Sequence, residues 1–291
     1  RLLYMQKEVH EIHFDKKIKS VTQGQYVDKF SRIITDDCDC YVGNKILFKF
    51  RKSVLPKELT DNAYNTFIHH AKKINKQRGK AAGLHADGRA VNSSSSRETR
   101  SNIVGFFDKP TIQDKVKLKN LYGYVPSVYC RQTAFTRDNL NKFNSNIPFF
   151  ERIDRMYKAL APEDYERQRR QCMNVKPNFI IGSTTFSTVT CNYNWRTACH
   201  VDSGDFKDGL GNLIITGDDN YIGGYIGFPE WDICIDARCG DFLLMDVHQV
   251  HCNTLIEGDG NRLSFVCYLR QHMHHCNDEC LSDKRDNERH S

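Results

Sequence analysis

From Phe179 to Leu269 the chain is written as short apolar runs separated by turns rich in glycine. The runs are Phe179–Ser183, Phe186–Asn192, Leu213–Thr216, Ile233–Asp236, Asp241–Asp246 and Leu263–Leu269. Each is of strand length, and their spacing predicts an antiparallel sandwich or barrel. The helical signals lie upstream. Ala63, Tyr64, Phe67, Ile68, Ala71 and Ile74 recur at helical spacing, which predicts an amphipathic helix over about 58–77, with Lys72, Lys73 and Lys76 toward its C-terminal end. A second helical stretch is expected near 151–173, broken or restarted at Pro162. Helices segregated from a later run of strands read as α+β. No Pro/Gly linker splits the 291 residues, so a single composite domain is expected.

A hydrophobic fraction of 39% can fill a core, and 27% charged residues is ordinary for a globular chain, which argues against wholesale disorder. No apolar stretch approaches 18 residues, so no transmembrane helix and no membrane partner are expected. The chain opens on Arg1 without an initiator Met, as a trimmed or processed product does. Twelve cysteines sit mostly alone in apolar runs, without the spacing of a disulfide scaffold. They read as buried or free thiols of an intracellular, reducing compartment, nuclear, cytoplasmic or virus-encoded. The net charge of +6 is unevenly spread. Residues 1–120 hold 24 Lys and Arg against 13 Asp and Glu, residues 121–199 hold 11 against 6, and residues 200–260 hold 2 against 12. Such a chain has either a solvated basic face beside an acidic loop region, or a basic surface for a polyanion beside an acidic stretch that does chemistry.

The chemistry concentrates in His200-Val201-Asp202, placed at the end of a predicted strand. Residues i and i+2 of an extended chain point the same way, so both side chains can aim at one point. A third donor is found fifty-one residues after His200, at His251, beyond the predicted strand opened by Gly240. His248, three residues earlier, competes for that role. Two His and one carboxylate form the facial triad that leaves Fe(II) open positions for a chelating cosubstrate and O2. Arg262 then opens a strand with a planar fork suited to a distal carboxylate. Asn192, Tyr193 and Asn194, on the strand entering the motif, are further candidates for cosubstrate binding.

Gly240-Asp241-Phe242-Leu243-Leu244-Met245-Asp246, the His251-Cys252-Asn253-Thr254 segment and Arg262-Leu263-Ser264-Phe265-Val266-Cys267-Tyr268 resemble the 2-oxoglutarate/Fe(II)-dependent dioxygenases of the TET/JBP type. The resemblance covers roughly 180–270; a weaker one extends to the Arg78–Gly83 loop and Asn102–Asp108. It implies a double-stranded β-helix, or jelly roll, over about 176–272, with a mixed α/β part over 1–175 and a polar tail over 273–291. It implies Fe(II) held by His200, Asp202 and His251, 2-oxoglutarate held by Arg262, and hydroxylation of the methyl group of 5-methylcytosine or thymine in DNA. The His-to-His spacing also resembles that of an algal relative using ascorbate, which leaves ascorbate open as reductant or alternative cosubstrate. A prolyl-type or small-molecule hydroxylase shares the same residue order, and a non-catalytic nucleic-acid-binding module is the reading from another class.

An enzyme acting on a base must grip flanking phosphates, in duplex or single strand, and the basic half of the chain suits that, acting as a monomer. Arg78, Lys80, Arg97, Arg100 and Arg131 are the expected DNA contacts. The segment 129–137, aromatic and basic, reads either as a base-stacking element or as a partly buried strand. Ser203–Gly211 lacks the spacing of a calcium loop and reads as a lid or turn. His272, His274, His275, Cys276 and Cys280, with Cys38 and Cys40, are a weak zinc candidate, because their spacing matches no common zinc module.

Overall fold

The computed structural model describes residues 9–76, 78–96, 98–277 and 282. In chain order the elements are β1 (His10–Phe14), β2 (Arg32–Ile34), β3 (Cys38–Val42), β4 (Lys45–Arg51), α1 (Lys57–Ala71), β5 (Ser101–Phe107), α2 (Ile112–Tyr122), β6 (Arg131–Gln132), α3 (Ala134–Asp138), α4 (Leu140–Asn144), α5 (Ile147–Leu160) and α6 (Pro162–Cys172). The strand-rich part follows with β7 (Thr188–Tyr193), β8 (Gly211–Gly217), β9 (Ile222–Gly223), β10 (Ile226–Phe228), β11 (Ile233–Ile235), β12 (Phe242–Met245), β13 (Cys252–Asn253), β14 (Ile256–Glu257) and β15 (Arg262–Tyr268). The described residues form two compact units, each gathered from separated segments: those within 1–102, 191–203 and 211–266 in one, and those within 103–190, 204–210 and 267–291 in the other. The chain passes between units within β5, β7 and β15.

The first unit is a two-sheet jelly roll. One sheet contains the run β1-β3-β4-β12-β8-β15, and the other is β13-β10-β11-β2. Their inner faces share one apolar core: Phe48, Phe50, Leu213, Ile215, Leu243 and Met245 meet Ile226, Phe228, Ile233 and Ile235. Burying faces of two sheets against each other is what alternating apolar strands require. The N-terminal residues thus supply strands to the sandwich itself, because β4 pairs antiparallel with β12, Phe50 opposite Leu243. Helix α1 buries Ala63, Phe67, Ile68 and Ala71, and Phe67 meets Phe265 of β15 edge-on at 5.6 Å. It stops at Ala71 rather than near 77. The Asn102 amide donates to the carbonyls of His70, Ala71 and Lys73 at 3.1, 3.3 and 2.7 Å, satisfying the orphan acceptors of the last turn.

The second unit carries α2 to α6. The 151–173 stretch is two helices, with Pro162 as the first residue of α6, where a missing N–H costs nothing. Asp154 of α5 binds it internally: Tyr165 donates to the carboxylate at 2.9 Å, and the Thr185 N–H and hydroxyl each donate at 2.8 Å. The strand expected over Phe179–Ser183 is absent. Pro177 opens a short 3-10 turn, and Gly182 takes φ +51°, so the chain doubles back and Ile181 N–H donates to Phe186 at 2.9 Å. Cys130 and Cys276 form a disulfide, which corrects the expectation that the cysteines are unpaired. Folding brings their α-carbons to 5.7 Å across 146 residues, a proximity that spacing cannot signal. Cys38, Cys40, Cys191, Cys199, Cys234 and Cys252 are buried thiols. No described helix is long and apolar enough to cross a membrane.

Candidate active site

Two backbone pairings create the site in the first unit. His200 and His251 face each other in an antiparallel bridge, exchanging N–H···O bonds of 3.0 Å in both directions. On its other side the chain before His200 is held by residues 24 and 25, which exchange 2.7 Å bonds with Cys199. Asp202 N–H donates to Val247 at 3.0 Å, and the turn toward His200 is fixed by Ala198 N–H on Ala81 at 2.9 Å. Placing residues opposite each other in a bridge brings their side chains together, and the imidazole centroids lie 4.4 Å apart.

Both rings are oriented by carbonyls. With its proton on Nδ1, His200 donates to Ala198 at 2.8 Å and His251 donates to Gln249 at 2.9 Å. That tautomer leaves each Nε2 lone pair free for a metal. Each Nε2 lies 3.6 Å from one oxygen of Asp202, and the three donor atoms fall within 4.8 Å of one another. Among the described residues they are the one such group. The side chain of His251 is 8% exposed and that of Asp202 35%, so the group opens on the carboxylate side. Burial and the neighbouring His251 push His200 down to about 4, keeping it neutral. Burial works to raise Asp202, but His251, His200 and Arg78 outweigh it and hold the carboxyl well below its usual range. Burial works to lower His251, but Asp202, with the Gln249 carbonyl, prevails and raises it above its ordinary value. A divalent cation takes the place of that proton, and two imidazoles with an ionised carboxylate are the donor set it needs, so the residues fit Fe(II). His248 is turned elsewhere: its Nδ1 lies 3.2 Å from Asp246 and its N–H donates to the same oxygen at 3.0 Å.

Arg262, the first residue of β15, is fully buried, and its Nε and Nη2 have no hydrogen-bond partner. No carboxylate among the described residues forms an ion pair with it. The Tyr221 phenol faces this guanidinium, but a buried cation without a carboxylate partner is costly, and a ligand carboxylate is what its fork fits. Its backbone is clamped by Asn194, whose Oδ1 accepts from Arg262 N–H at 2.7 Å and whose N–H donates to Arg262 carbonyl at 2.9 Å. Asn194 has φ +40°, so it leaves the strand alternation expected of 192–194 and turns its side chain to Arg262 and to Gly260, at 2.8 Å. Tyr193 donates to Asn261 at 2.8 Å, and Asn192 accepts from Ser101 at 2.5 Å. The structure thus engages all three side chains with protein partners.

The basic candidates are dispersed. Arg78 is half-buried, donates to Ser101 at 3.3 Å and acts on Asp202 and His200, so it belongs to the surroundings of the triad. Lys80 is exposed, and Arg100 is exposed over the Tyr193 ring at 5.8 Å. Arg131 lies in the second unit, donating to Lys109 at 2.7 Å and stacked over Phe107 at 5.4 Å. Arg97 lies outside the described residues. Residues 204–210 belong to the second unit, with Phe206 N–H on Leu269 at 2.8 Å. The zinc reading fails for Cys276, whose sulfur is bonded to Cys130; Cys280 lies outside the described residues. The residues that sequence reasoning missed are Arg78 as a neighbour of the triad, the Asn194 clamp, and the surroundings of Arg262 formed by Tyr221, Gly224 and Arg238. None carries a motif; each is placed by long-range pairing.

A jelly roll with a His-x-Asp…His group and a buried Arg opening its last long strand defines a 2-oxoglutarate/Fe(II) oxygenase. Residues 122–271 match the Tet_JBP family, described as the oxygenase domain of the 2OGFeDO superfamily, and the chain belongs to that family. It is 36% identical over 178 residues to the bifunctional helicase and thymine dioxygenase JBP2 of Trypanosoma brucei brucei, covering 60% of this chain and 15% of that protein. It is 31% identical over 175 residues to the thymine dioxygenase JBP1 of Trypanosoma brucei brucei, covering 58% and 19%. The match thus spans less than a fifth of the length of either relative. The solved structure described as NgTET1 in complex with 5mC DNA shares the fold, with a TM-score of 0.57 and 11% identity over 98% of this chain and 90% of that one.

Proposed function

We propose that this chain hydroxylates the methyl group of a 5-methylpyrimidine, thymine or 5-methylcytosine, in DNA, using Fe(II) and 2-oxoglutarate. The observation that carries the chemistry is the pairing of the His200–Asp202–His251 donor group with a buried Arg262 whose Nε and Nη2 are left unsatisfied. The substrate is supported by the two relatives named as thymine dioxygenases. When bound, Fe(II) and 2-oxoglutarate supply, from O2, the oxidant for a C–H hydroxylation, with succinate and CO2 as co-products. The chain's own part is to hold and orient. His200 and His251 present Nε2 with their Nδ1 protons fixed on carbonyls. Asp202 brings the negative charge, kept ionised by the surrounding positive groups. Arg262 takes the distal carboxylate of the cosubstrate, and its backbone is held in register by Asn194.

The test is mass spectrometry of nucleosides from DNA incubated with the protein, Fe(II), ascorbate and 2-oxoglutarate, with each of the last two omitted in turn. Both thymine-containing and 5-methylcytosine-containing duplexes and single strands are supplied. A hydroxymethylated base that disappears without 2-oxoglutarate is the expected result. Consumption of 2-oxoglutarate without base oxidation moves the substrate to a protein or small molecule. Turnover that needs ascorbate alone replaces the cosubstrate.

A further inference from the structure

The bridge that joins the two imidazoles also brings two thiols together. Cys199 and Cys252 lie one step beyond His200 and His251 in the same antiparallel register, so they stand opposite each other. His200 and His251 exchange both of their N–H···O bonds, which makes the next pair a non-hydrogen-bonded one. The Cys199 backbone agrees, because its N–H donates to Gln25 and its carbonyl accepts from Gly24 N–H, both at 2.7 Å. In such pairs the α-carbons lie about 4.5 Å apart, inside the range of roughly 4.4–6.8 Å that a disulfide spans. The two thiols do meet, sharing a side-chain hydrogen bond. Successive residues of an extended chain point to opposite faces, so the sulfurs sit on the face away from the metal donors.

Both cysteines are 0% exposed and share a small apolar cluster with Val250. Its cover is thin. Val21, Val27, Phe30 and Val201 pack on it and are only partly buried, and residues 15–31, which supply three of them, form no helix or strand. Opening such a segment admits a molecule the size of a peroxide without unfolding the sandwich. The histidine-bearing segments themselves meet in an isolated bridge, not in a continuous ladder. A metal held by both imidazoles leaves more readily when that bridge parts, and a covalent link at the neighbouring pair would keep it closed.

We propose that Cys199 and Cys252 are a reversible dithiol/disulfide site, oxidised by hydrogen peroxide, and that the disulfide staples the two histidine-bearing segments so that the metal leaves more slowly. One sulfur attacks the O–O bond of the peroxide, becomes a sulfenic acid and releases one water. The second sulfur attacks the sulfenic sulfur; the S–S bond forms, the S–O bond breaks and a second water leaves. Each cysteine gives up one electron and one proton, and the peroxide is reduced to two waters. An added thiol reductant reverses the link by exchange. The effect on the metal rests on the reading that His200, Asp202 and His251 hold a divalent cation; formation of the disulfide does not.

The test uses the full chain loaded with Zn(II) in place of Fe(II), so that no iron consumes the peroxide. After hydrogen peroxide treatment, peptides are mapped by mass spectrometry without reduction, and Zn(II) release to a chromogenic chelator is timed. The expected product is one linked pair of peptides carrying Cys199 and Cys252, lighter by two hydrogens and lost again on thiol reduction. Release should slow on the order of ten-fold relative to the untreated chain. Cys252→Ser and Cys199→Ala should each lose the linked pair and release Zn(II) at a rate that peroxide does not change; the wild-type map and rate stand without either variant. Thiols that survive the peroxide, a sulfinic acid on either residue, or a link to a different cysteine would overturn the site. A linked pair with unchanged release would overturn the staple, as would slowing that persists in both variants. If the untreated chain takes up no Zn(II), the metal reading fails and the staple with it, while the peptide map still decides the disulfide.

Discussion

His248 and His251 are three residues apart, yet only His251 has its ring fixed for a metal. Its Nδ1 is anchored on the Gln249 carbonyl and its Nε2 faces Asp202, whereas His248 is held by Asp246. His251→Ala should therefore abolish both turnover and stoichiometric Fe(II) binding, measured by metal analysis after desalting. His248→Ala should keep one Fe(II) per chain and most of the activity. The reverse pattern would move the ligand to His248. Asn194 gives a second residue-level prediction. Asn194→Ala removes the acceptor of Arg262 N–H and puts an alanine at φ +40°, so it should cost about 2 kcal/mol or more in urea unfolding. Asn194→Gly relieves the backbone and not the hydrogen bonds, and should fall between the two. Equal losses would mean the left-handed backbone contributes nothing. At this scale the ligands were readable because their chemistry demands particular residue types at strand spacing. Asn194 was readable only as a polar residue on a strand, because its role depends on a backbone turn that no local pattern encodes.

Strand β4 shows how far an element can be read. Lys45 to Phe50 interleaves two lysines with apolar residues, and the structure does bury Leu47, Phe48 and Phe50, while Lys49 turns toward Asp39 of β3. The partner could not be read, since the pairing of Asp39 with Lys49 at 3.0 Å and Arg51 at 2.7 Å is set by register across the hairpin. The same limit accounts for Phe179–Ser183, whose apolar content matches a strand but whose Pro177 and Gly182 bend it into a turn. It accounts also for α1, ended by an amide thirty residues downstream. Asp39 carries a pH prediction. Burial works to raise its carboxyl, but Arg51 and Lys49 prevail and hold it below the ordinary carboxylate value. A carboxyl depressed in the folded state stabilises fully above the unfolded value, about 3.9, and loses that contribution as pH falls from there through the folded value. Asp39→Asn should thus lower the thermal midpoint at neutral pH, and the gap from wild type should narrow below about pH 4. A gap that stays constant with pH would remove the ion pairs as its cause.

Over the whole molecule, the charge asymmetry of the sequence is partly cancelled by folding. The acidic stretch 200–260 is engaged internally: Asp218 accepts from Asn261, Asp241 from Ser53 and Arg238, and Asp246 from His248 and Gln249. Several N-terminal lysines are engaged by it, with Lys17 on Glu230 at 2.6 Å, Lys19 on Asp232 at 3.0 Å and Lys52 on Asp241 at 3.6 Å. Counting charges along the chain therefore overstates what is left for a polyanion. Lys80 and Arg100 differ, being exposed without an ion pair among the described residues. If this chain grips DNA through its phosphates, each such contact releases counterions, and its loss lowers the slope of log K against log salt by about one. The variant pair Lys80→Gln and Arg100→Gln should reduce the slope for a fluorescent duplex by about two, with similar losses on every sequence tried, since phosphate contacts carry no base information. The control pair Lys17→Gln and Lys19→Gln removes the same formal charge and should leave the slope nearly unchanged, because those ammoniums already have carboxylate partners. Equal slopes for both pairs would show that net charge, rather than these two side chains, sets the attraction. An unchanged slope in the Lys80 and Arg100 variant would take both residues out of the interface.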